Sequence, residues 1–354
     1  MVWFFAPWIT YALVLVLHVV LPARRVEGYV KEDGRPLRYR LNGLLVLVVT
    51  IVVWTGVCRA GWTTWDALWI HRYVGAAGAA TLGLIFTLVV VLKEPPTGKG
   101  LLADLFLGRA ENPQWLGRRV DAKMYLYLVG AVLLELNVLS FTAHHVITHD
   151  APSRGLLLSA ALLSWFVFDY LFFEHVHLYT YDLFAERVGF KLGWGCMAFY
   201  PYFYAVGLGT TAHLEPPDFS TVELVLYGAV FFTGWSLARG ANMQKYVFKR
   251  DPEQKFLGVI TPETVSDGER SLLCSGFWGV SRHVNYLGEV LMATGITLAL
   301  GHPSVPWPWL YPLYYVLLLG TRERDDDKRC AAKYGALWDR YKERVPRRII
   351  PGIY

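Results

Sequence analysis

Polar, charged and aromatic residues crowd into the C-terminal part of this chain, beside segments that are otherwise apolar. Residues 276–289 read Gly-Phe-Trp-Gly-Val-Ser-Arg-His-Val-Asn-Tyr-Leu-Gly-Glu, and residues 324–341 read Arg-Asp-Asp-Asp-Lys-Arg-Cys-Ala-Ala-Lys-Tyr-Gly-Ala-Leu-Trp-Asp-Arg-Tyr. Basic groups bind phosphates, amides and carboxylates bind hydroxyl groups, and aromatic rings stack on planar ligands. At a membrane edge, this mixture suits an anionic, ring-bearing cofactor that faces a lipid-soluble substrate.

Two pairs of residues are candidates for direct contact with such a cofactor. Lys245 and Lys249 lie in a basic segment and suit phosphates as point charges, although cations at a cytoplasmic helix end are also common without any ligand. Arg282 and Asn285 stand at the start of an apolar segment, where polar groups are costly unless they are paired or face a polar cavity. We therefore interpret Arg282 and Asn285 as site residues.

The aromatic residues of the tail share one face of a predicted helix. Tyr334, Trp338 and Tyr341 recur at i, i+4 and i+7, which is the spacing of a single helical face. Such a face either packs on a neighbouring element or stacks on a ligand, and the residues leave both possibilities open.

A second group of polar residues, at 168–204, is a candidate for proton transfer. Glu174 stands near His175 and His177, but these two histidines point to different faces of a helix, so we predict no metal site. A buried tyrosine–carboxylate pair suits proton delivery, because a phenol gains acidity from a positioned partner, and Asp182 and Tyr204 supply such groups in this segment.

The elements that must position these residues are membrane helices. Of 354 residues, 54% are hydrophobic and 18% are charged, with a mean hydropathy of +0.32, whereas soluble domains carry about 25% charged residues. A spanning helix needs about 20 apolar residues. Nine segments fit, with a tenth if 61–71 forms a longer or re-entrant element: 3–21, 44–57, 73–92, 124–147, 156–173, 188–208, 222–237, 284–300 and 307–320. The predicted fold is an all-α integral membrane bundle of about nine to ten helices.

Basic residues alternate between the loops on the two sides of this predicted bundle. The loops at 144–155, 209–221 and 301–306 contain one arginine and no lysine, whereas the loops at 23–40, 93–123 and 239–282 and the tail after residue 320 are rich in both. This alternation predicts a cytoplasmic C-terminus, in a bacterial inner membrane or the endoplasmic reticulum. Acidic residues interrupt the basic tail, which argues against nucleic-acid binding. The four cysteines are widely spaced, so we predict neither a disulfide framework nor a metal cluster.

Four segments resemble the sterol reductase family, which contains the sterol C14-, C7- and C24(28)-reductases and the membrane part of the lamin B receptor. These segments are Ala-Asn-Met-Gln-Lys (241–245), the stretch 275–289, Cys-Ala-Ala-Lys-Tyr-Gly…Trp-Asp-Arg-Tyr (330–341) and the ending Arg-Val-Pro-Arg-Arg-Ile-Ile-Pro-Gly-Ile-Tyr (344–354). The resemblance is dense over 239–354 and looser over 111–210. It implies one membrane domain with N-terminal helices to residue 155, substrate-cavity helices at 156–238 and an NADPH-binding half at 239–354.

The resemblance also implies a set of cofactor contacts and a pocket that faces the cytoplasm. No Gly-x-Gly-x-x-Gly follows a strand, so a Rossmann site is excluded and the dinucleotide must lie among helix ends. Carried over position by position, the NADPH contacts are Lys245, Lys249, Leu273, Trp278, Arg282, Asn285, Tyr286, Asp326, Cys330, Lys333, Tyr334 and Tyr341.

The activity that the resemblance implies is reduction of a sterol carbon–carbon double bond with NADPH. An isolated alkene is a poor hydride acceptor, so an acid in an apolar cavity must first protonate it before the nicotinamide gives its hydride. We predict Tyr204 as the proton donor, with Asp182 or Glu174 behind it. The implied partners are a sterol or sterol-like lipid and membrane lipids.

The substrate half departs from the family pattern more than the cofactor half does. Gly195-Cys196 replaces the usual Gly-Asp, Gly207 replaces a common Gln, and Gln114 replaces Arg in Asn-Pro-Arg. Two other readings stay open: a membrane methyltransferase of the isoprenylcysteine type that uses S-adenosylmethionine, and a non-catalytic lipid-binding scaffold. Asn285 argues against the methyltransferase, since that family has Pro after its Arg-His. A transporter is disfavoured because the polar residues cluster at one membrane face.

Overall fold

The computed structural model describes residues 1–30, 36–178, 180, 183 and 186–354. The chain forms two compact units, Met1–Pro216 and Pro217–Tyr354. All of the cofactor contacts implied by the family resemblance lie in the second unit, whereas Glu174 and Tyr204 lie in the first.

The first unit consists mainly of helices. After a 3₁₀ turn at Val2–Phe4, its helices in chain order are Ala6–Val20 (α1), Gly43–Arg59 (α2), Ala67–Ile70 (α3), Arg72–Leu92 (α4), Leu101–Leu107 (α5), Ala122–Thr148 (α6), Arg154–Phe172 (α7), Glu174–His177 (α8), Phe190–Trp194 (α9), Tyr200–Phe203 (α10) and Val206–Thr211 (α11). The most buried of these is α6, which begins where the Asp121 carboxylate accepts hydrogen bonds from the backbone N–H groups of Lys123 and Met124.

The second unit has two long helices and a shorter one between them. Its helices are Thr221–Arg250 (α12), Phe277–Val280 (α13), Val284–Ala299 (α14), Pro306–Tyr334 (α15) and Ala336–Arg344 (α16). Helix α12 begins at a capping box, in which the Ser220 hydroxyl and the Glu223 carboxylate bond reciprocally to the first backbone N–H groups.

Each of the nine predicted apolar segments is helical over most of its length, which confirms the predicted helical architecture in its coarse form. Among the described residues, four helices, α4, α6, α7 and α12, are long and apolar enough to cross a membrane; α1, α2 and α14 are shorter apolar helices. The possible tenth element at 61–71 contains only the single helical turn α3. The exact number of spans stays a prediction.

Three short antiparallel hairpins were missing from the sequence prediction. They pair Arg24–Val30 (β1) with Pro36–Leu41 (β2), Gln114–Trp115 (β3) with Val120–Asp121 (β4), and Thr264–Ser266 (β5) with Ser271–Leu273 (β6). All three fall in the polar loops, so "all-α" holds for the apolar segments alone.

Glycines bring α12 and α14 into backbone contact. A Cβ added at Gly234 would lie 2.5 Å from the Gly288 carbonyl oxygen, and one at Gly288 would lie 2.5 Å from the Ala238 nitrogen. Gly295 approaches the Phe231 backbone in the same way, at 2.8 Å. Small residues allow this close approach, which drives helix association where the hydrophobic effect is weak.

The predicted span at 188–208 is an interrupted helix. A π-helical turn at Gly195–Phe199 joins α9 to α10, immediately before Pro201. Proline cannot donate to the carbonyl four residues earlier, and its ring crowds that carbonyl. The freed carbonyl belongs to Met197, and it accepts a hydrogen bond from the Tyr11 hydroxyl. The Asn137 amide holds the Pro201 carbonyl at 2.9 Å, so the interruption is braced from α1 and α6.

Candidate functional site

Two predicted site residues, Lys245 and Asn285, lie on the faces through which α12 and α14 pack against each other. On α12, positions 234, 238, 241 and 245 follow the i, i+4, i+7, i+11 spacing of one helical face, so Lys245 continues the stripe that packs on α14. On α14, Asn285 lies one turn before Gly288 on the matching stripe. Phe231 contacts Gly295 and Ala238 contacts Gly288, so the two helices are antiparallel. Lys245 and Asn285 therefore lie at the same end of the pair.

Three lysines gather around this end of the pair. Lys245 interacts electrostatically with Lys249, Lys333, Asp326 and Cys330, and Lys249 also interacts with Lys333. The lysines therefore outnumber the carboxylate in this group. Such an uncompensated positive cluster suits the phosphates of a dinucleotide.

Trp278 is fixed beside Lys245 by α12. Its indole Nε1 donates to the Ala241 carbonyl at 2.8 Å, and the Lys245 ammonium lies 5.4 Å from the centre of its ring. The buried Gln244 amide binds the Ser275 carbonyl and the Phe277 N–H, at 3.1 and 3.0 Å. These bonds attach the 275–278 segment to α12, so Trp278 and Lys245 form one surface.

Helix α14 presents a tyrosine, an amide and a histidine to the same region. The Tyr286 hydroxyl donates to Asp326 Oδ2 at 2.6 Å and so links α14 to α15. Asn285 Oδ1 is fully buried and has no hydrogen-bond partner among the described residues. The His283 ring stacks on Tyr286 at 4.7 Å. Burial, with the nearby positive charge of Arg282, lowers the pKa of His283 to about 3, so this imidazole is neutral at physiological pH.

The tail aromatics pack against the β5–β6 hairpin. Trp338 and Tyr341 stack at 5.1 Å and form a buried cluster with Cys274, which follows Leu273 at the end of β6. Tyr334 is more exposed, and the cations of Lys333 and Arg270 lie 5.0 and 6.0 Å from its ring centre. Packing therefore accounts for Trp338 and Tyr341, while Tyr334 keeps an accessible ring.

Arg282 is directed toward the C-terminal residues. It is only 4% exposed, and its Nη1 donates to the Val345 and Pro346 carbonyls at 2.8 and 3.0 Å. Part of its hydrogen-bonding capacity is thus used within the protein. Its expected contact with a phosphate stays a prediction.

The residues of this unit fit a dinucleotide such as NADPH. Lys245, Lys249 and Lys333 supply positive charge, Trp278 and Tyr334 supply ring faces, and the unpartnered Asn285 oxygen is an acceptor that an amide donor of a ligand would satisfy. Burial raises the pKa of the Cys330 thiol, so Cys330 is neutral and inert rather than nucleophilic.

Glu174 belongs to the first unit. Its Oε2 accepts the Gly43 N–H at the start of α2, at 3.0 Å, and the side chain is 6% exposed. It lines a cavity of about 200 Å³ together with Arg24, Leu44 and His175. Burial raises the pKa of Glu174 to about 7, although the Gly43 hydrogen bond opposes the shift.

Tyr204 follows α10 and contacts other residues than Glu174 does. Its ring lies 6.1 Å from Phe166 and 4.6 Å from Tyr200. Phe166 lies six residues, or about 9 Å, before the end of α7, whereas Glu174 follows that end. Asp182 lies outside the described residues. The roles of Tyr204, Asp182 and Glu174 in proton transfer stay predictions.

Because Glu174 is buried, we expect the difference in stability between the wild type and Glu174→Gln to depend on pH. Its folded-state pKa of about 7 exceeds the ordinary value of 4.5, so the folded protein binds the proton more tightly and loses stability as pH rises from 4.5 through 7. Glu174→Gln should therefore match the wild type near pH 4.5 and exceed it at pH 8, by up to about 3 kcal/mol. Melting temperatures in detergent across this range measure the difference, and parallel curves for the two proteins would contradict the expectation.

Glu135 and Glu323 are among the buried carboxylates that the sequence analysis did not identify. Glu135 interrupts the apolar run of α6, is 5% exposed and accepts the Ser164 hydroxyl at 2.8 Å. Glu323 on α15 is fully buried near Arg348. The signal for Glu135 was present, since an ionisable residue in the middle of a membrane helix requires a partner. No comparable signal marked Glu323, because its neighbours in sequence are charged.

Comparison with known proteins places the whole chain in one family. The profile of the ergosterol biosynthesis ERG4/ERG24 family matches residues 2–354. A Delta(14)-sterol reductase of Arabidopsis thaliana is 31% identical over 353 residues, covering 95% of this chain and 91% of the relative. Those of Methylotuvimicrobium alcaliphilum and Mus musculus are 32% and 33% identical over 350 and 351 residues, covering 96% and 95% of this chain and 80% and 82% of the relatives. The chain therefore belongs to the ergosterol biosynthesis ERG4/ERG24 family, which confirms its resemblance to the sterol reductases.

Proposed function

We propose that this protein reduces the C14 double bond of a sterol or sterol-like lipid with NADPH. Relatives from a plant, a bacterium and a mammal are all named Delta(14)-sterol reductases, and each is similar over at least 95% of this chain. Apolar helices that are long enough to cross a bilayer suit a substrate that dissolves in lipid.

One observation carries the cofactor assignment: three lysines gather at the end of the α12–α14 pair that also carries an indole ring and a buried, unpartnered amide oxygen. Lys245, Lys249 and Lys333 would neutralise phosphates, and Asn285 would accept a hydrogen bond from a carboxamide. Trp278 would offer its ring to a planar group. Bound NADPH supplies the hydride. S-adenosylmethionine carries no phosphate, so this cluster favours the dinucleotide over the methyl donor.

The chain must also supply a proton, because an isolated alkene accepts hydride only after protonation. Tyr204 is the proposed donor, and an apolar cavity around the substrate would keep water away from the resulting cation. Glu174 and Asp182 are the proposed carboxylates behind it. The phenol becomes a phenolate as it gives up its proton, and a protonated carboxyl group beside it would return a proton to it.

Binding of NADPH and of S-adenosylmethionine to purified protein in detergent tests this proposal. We expect saturable NADPH binding, and NADPH oxidation that depends on a sterol with a C14 double bond. Lys245→Met should raise the Kd for NADPH about 10- to 100-fold, because a hydrogen bond to a charged group contributes about 1.5–3 kcal/mol.

The matched control is Lys255→Met, which removes an exposed lysine from the loop after α12 and should leave the Kd unchanged. Wild-type protein that binds S-adenosylmethionine and not NADPH would contradict the proposed function.

A further inference from the structure

The last ten residues fold back onto the start of α14. We call residues 345–354 the C-terminal strap. All five successive carbonyls from 345 to 349 accept hydrogen bonds from residues 281–283. The donors, in order, are Arg282 Nη1 to Val345 and Pro346 (2.8 and 3.0 Å), the Arg282 N–H to Arg347 (3.0 Å), the His283 N–H to Arg348 (2.8 Å) and the Ser281 hydroxyl to Ile349 (2.9 Å).

Two of these bonds satisfy backbone N–H groups just before the start of α14, those of Arg282 and His283. The first N–H groups of a helix and of the segment before it have no intrahelical acceptor, and buried orphans are costly. Ser281 is fully buried and Arg282 is 4% exposed. The strap therefore completes the structure of the segment that leads into α14.

A buried carboxylate fastens the other end of the strap to α15. Glu323 is fully buried, and its Oε2 lies 3.4 Å from Arg348 Nη1 and 3.5 Å from the Tyr354 hydroxyl. The strap closes on itself here, since the N–H groups of Ile349 and Ile350 donate to the Tyr354 carbonyl. A buried carboxylate that loses its cation is strongly destabilised, so Glu323 and Arg348 hold the strap in one position.

We propose that Arg282 and Glu323 are positioning residues, which fix the cofactor site through the C-terminal strap. Asn285 and Tyr286 lie in the first turn of α14, immediately after the residues that the strap binds. Asp326, the hydrogen-bond partner of Tyr286, lies one turn beyond Glu323 on α15. The strap thus joins the two helix segments that carry these groups, and its release would let both shift. This inference rests on the proposed function, because it assigns a role in NADPH affinity.

Arg348→Gln tests the proposal, because it removes the cation from Glu323 and leaves every residue of the cofactor site in place. We expect the KM for NADPH to rise about 10- to 30-fold, since misplaced contacts lose about 1.4–2 kcal/mol of binding, while kcat at saturating NADPH stays within about twofold. Arg348→Lys restores the charge and should recover most of the affinity. Should Arg348→Gln fold poorly, Tyr354→Phe removes the two weaker contacts of the Tyr354 hydroxyl, with Arg348 and Glu323, and should also raise KM.

Arg344→Gln is the matched control. It removes an arginine from the same region, where an exposed pair with Glu263 at 2.9 Å contributes little, and its KM should equal that of the wild type. An unchanged NADPH KM in Arg348→Gln, or an equal rise in Arg344→Gln, would overturn the proposal.

Hydrogen exchange without cofactor separates this proposal from the proposed function. The amides of 281–286 should exchange faster in Arg348→Gln than in Arg344→Gln or the wild type. Faster exchange with unaltered NADPH affinity refutes a role for the strap at the cofactor site. Wild-type protein that fails to bind NADPH refutes the proposed function itself, and the inference with it, whatever the exchange rates.

Discussion

Gly234→Ala is expected to destabilise this protein more than any other single methyl group added to α12. The new Cβ would lie 2.5 Å from the Gly288 carbonyl oxygen and 2.7 Å from the Met292 nitrogen, and both atoms belong to the backbone of α14. A backbone cannot rotate away as a side chain can, so the two helices must separate. We expect a loss of about 3 kcal/mol or more, at the upper end of overpacking effects.

The separation should also affect the cofactor. Lys245 and Asn285 lie on the two faces that Gly234 and Gly288 hold together, so NADPH affinity should fall along with the melting temperature. Thermal melting in detergent, size-exclusion profiles and NADPH titration measure these effects.

Gly228→Ala is the control on the same helix. Nothing lies within 4 Å of the added Cβ there, and alanine favours a helix over glycine by about 1 kcal/mol. This variant should therefore be as stable as the wild type or more so. Equal melting temperatures for Gly234→Ala and Gly228→Ala would refute the close packing of α12 on α14.

Tyr204→Phe is expected to lower kcat about 10²- to 10⁴-fold, the usual contribution of a positioned acid. The substitution removes the hydroxyl and keeps the ring that packs on Phe166 and Tyr200. Binding of NADPH should be unchanged, because the proposed contacts of the cofactor lie elsewhere in the chain. Single-turnover oxidation of NADPH with a C14-unsaturated sterol measures the effect on the chemical step.

Tyr202→Phe is the companion variant, since Tyr202 lies in α10, two residues before Tyr204, and its hydroxyl lies near Gly75. Its turnover should stay close to that of the wild type. A Tyr204→Phe enzyme with wild-type kcat and bound NADPH would remove Tyr204 from the mechanism.

The apolar helices were predictable because length and hydropathy are properties of the local sequence. The β5–β6 hairpin was not, because a charged segment with two prolines and two glycines also fits an irregular loop, and its pairing depends on packing against Trp338 and Tyr341. The π-helical turn before Pro201 was equally unpredictable from the sequence. Proline predicts an interruption, but the donor that satisfies the freed Met197 carbonyl is the hydroxyl of Tyr11, far away in the sequence.

The candidate site likewise contains some residues that the local sequence identifies and others that depend on tertiary packing. Lys245 and Asn285 could be identified because polar groups beside apolar runs are conspicuous. Arg282 was conspicuous for the same reason, yet its contacts with the Val345 and Pro346 carbonyls depend on where the chain end returns. Glu323 could not be identified, since its burial results from tertiary packing that no local pattern records.

The glycine contact of α12 with α14 has a consequence for how such a chain can diverge. The spacing between Lys245 and Asn285 is set by main chain against main chain, so it does not depend on which side chains cover the outer surfaces of the two helices. Outward residues such as Val222, Val225 and Leu226 on α12 are 56–67% exposed and are free to change among apolar types. A reductase scaffold of this kind can exchange its outer side chains while the contact of α12 with α14 stays the same, in keeping with relatives at 31–33% identity from a plant, a bacterium and a mammal.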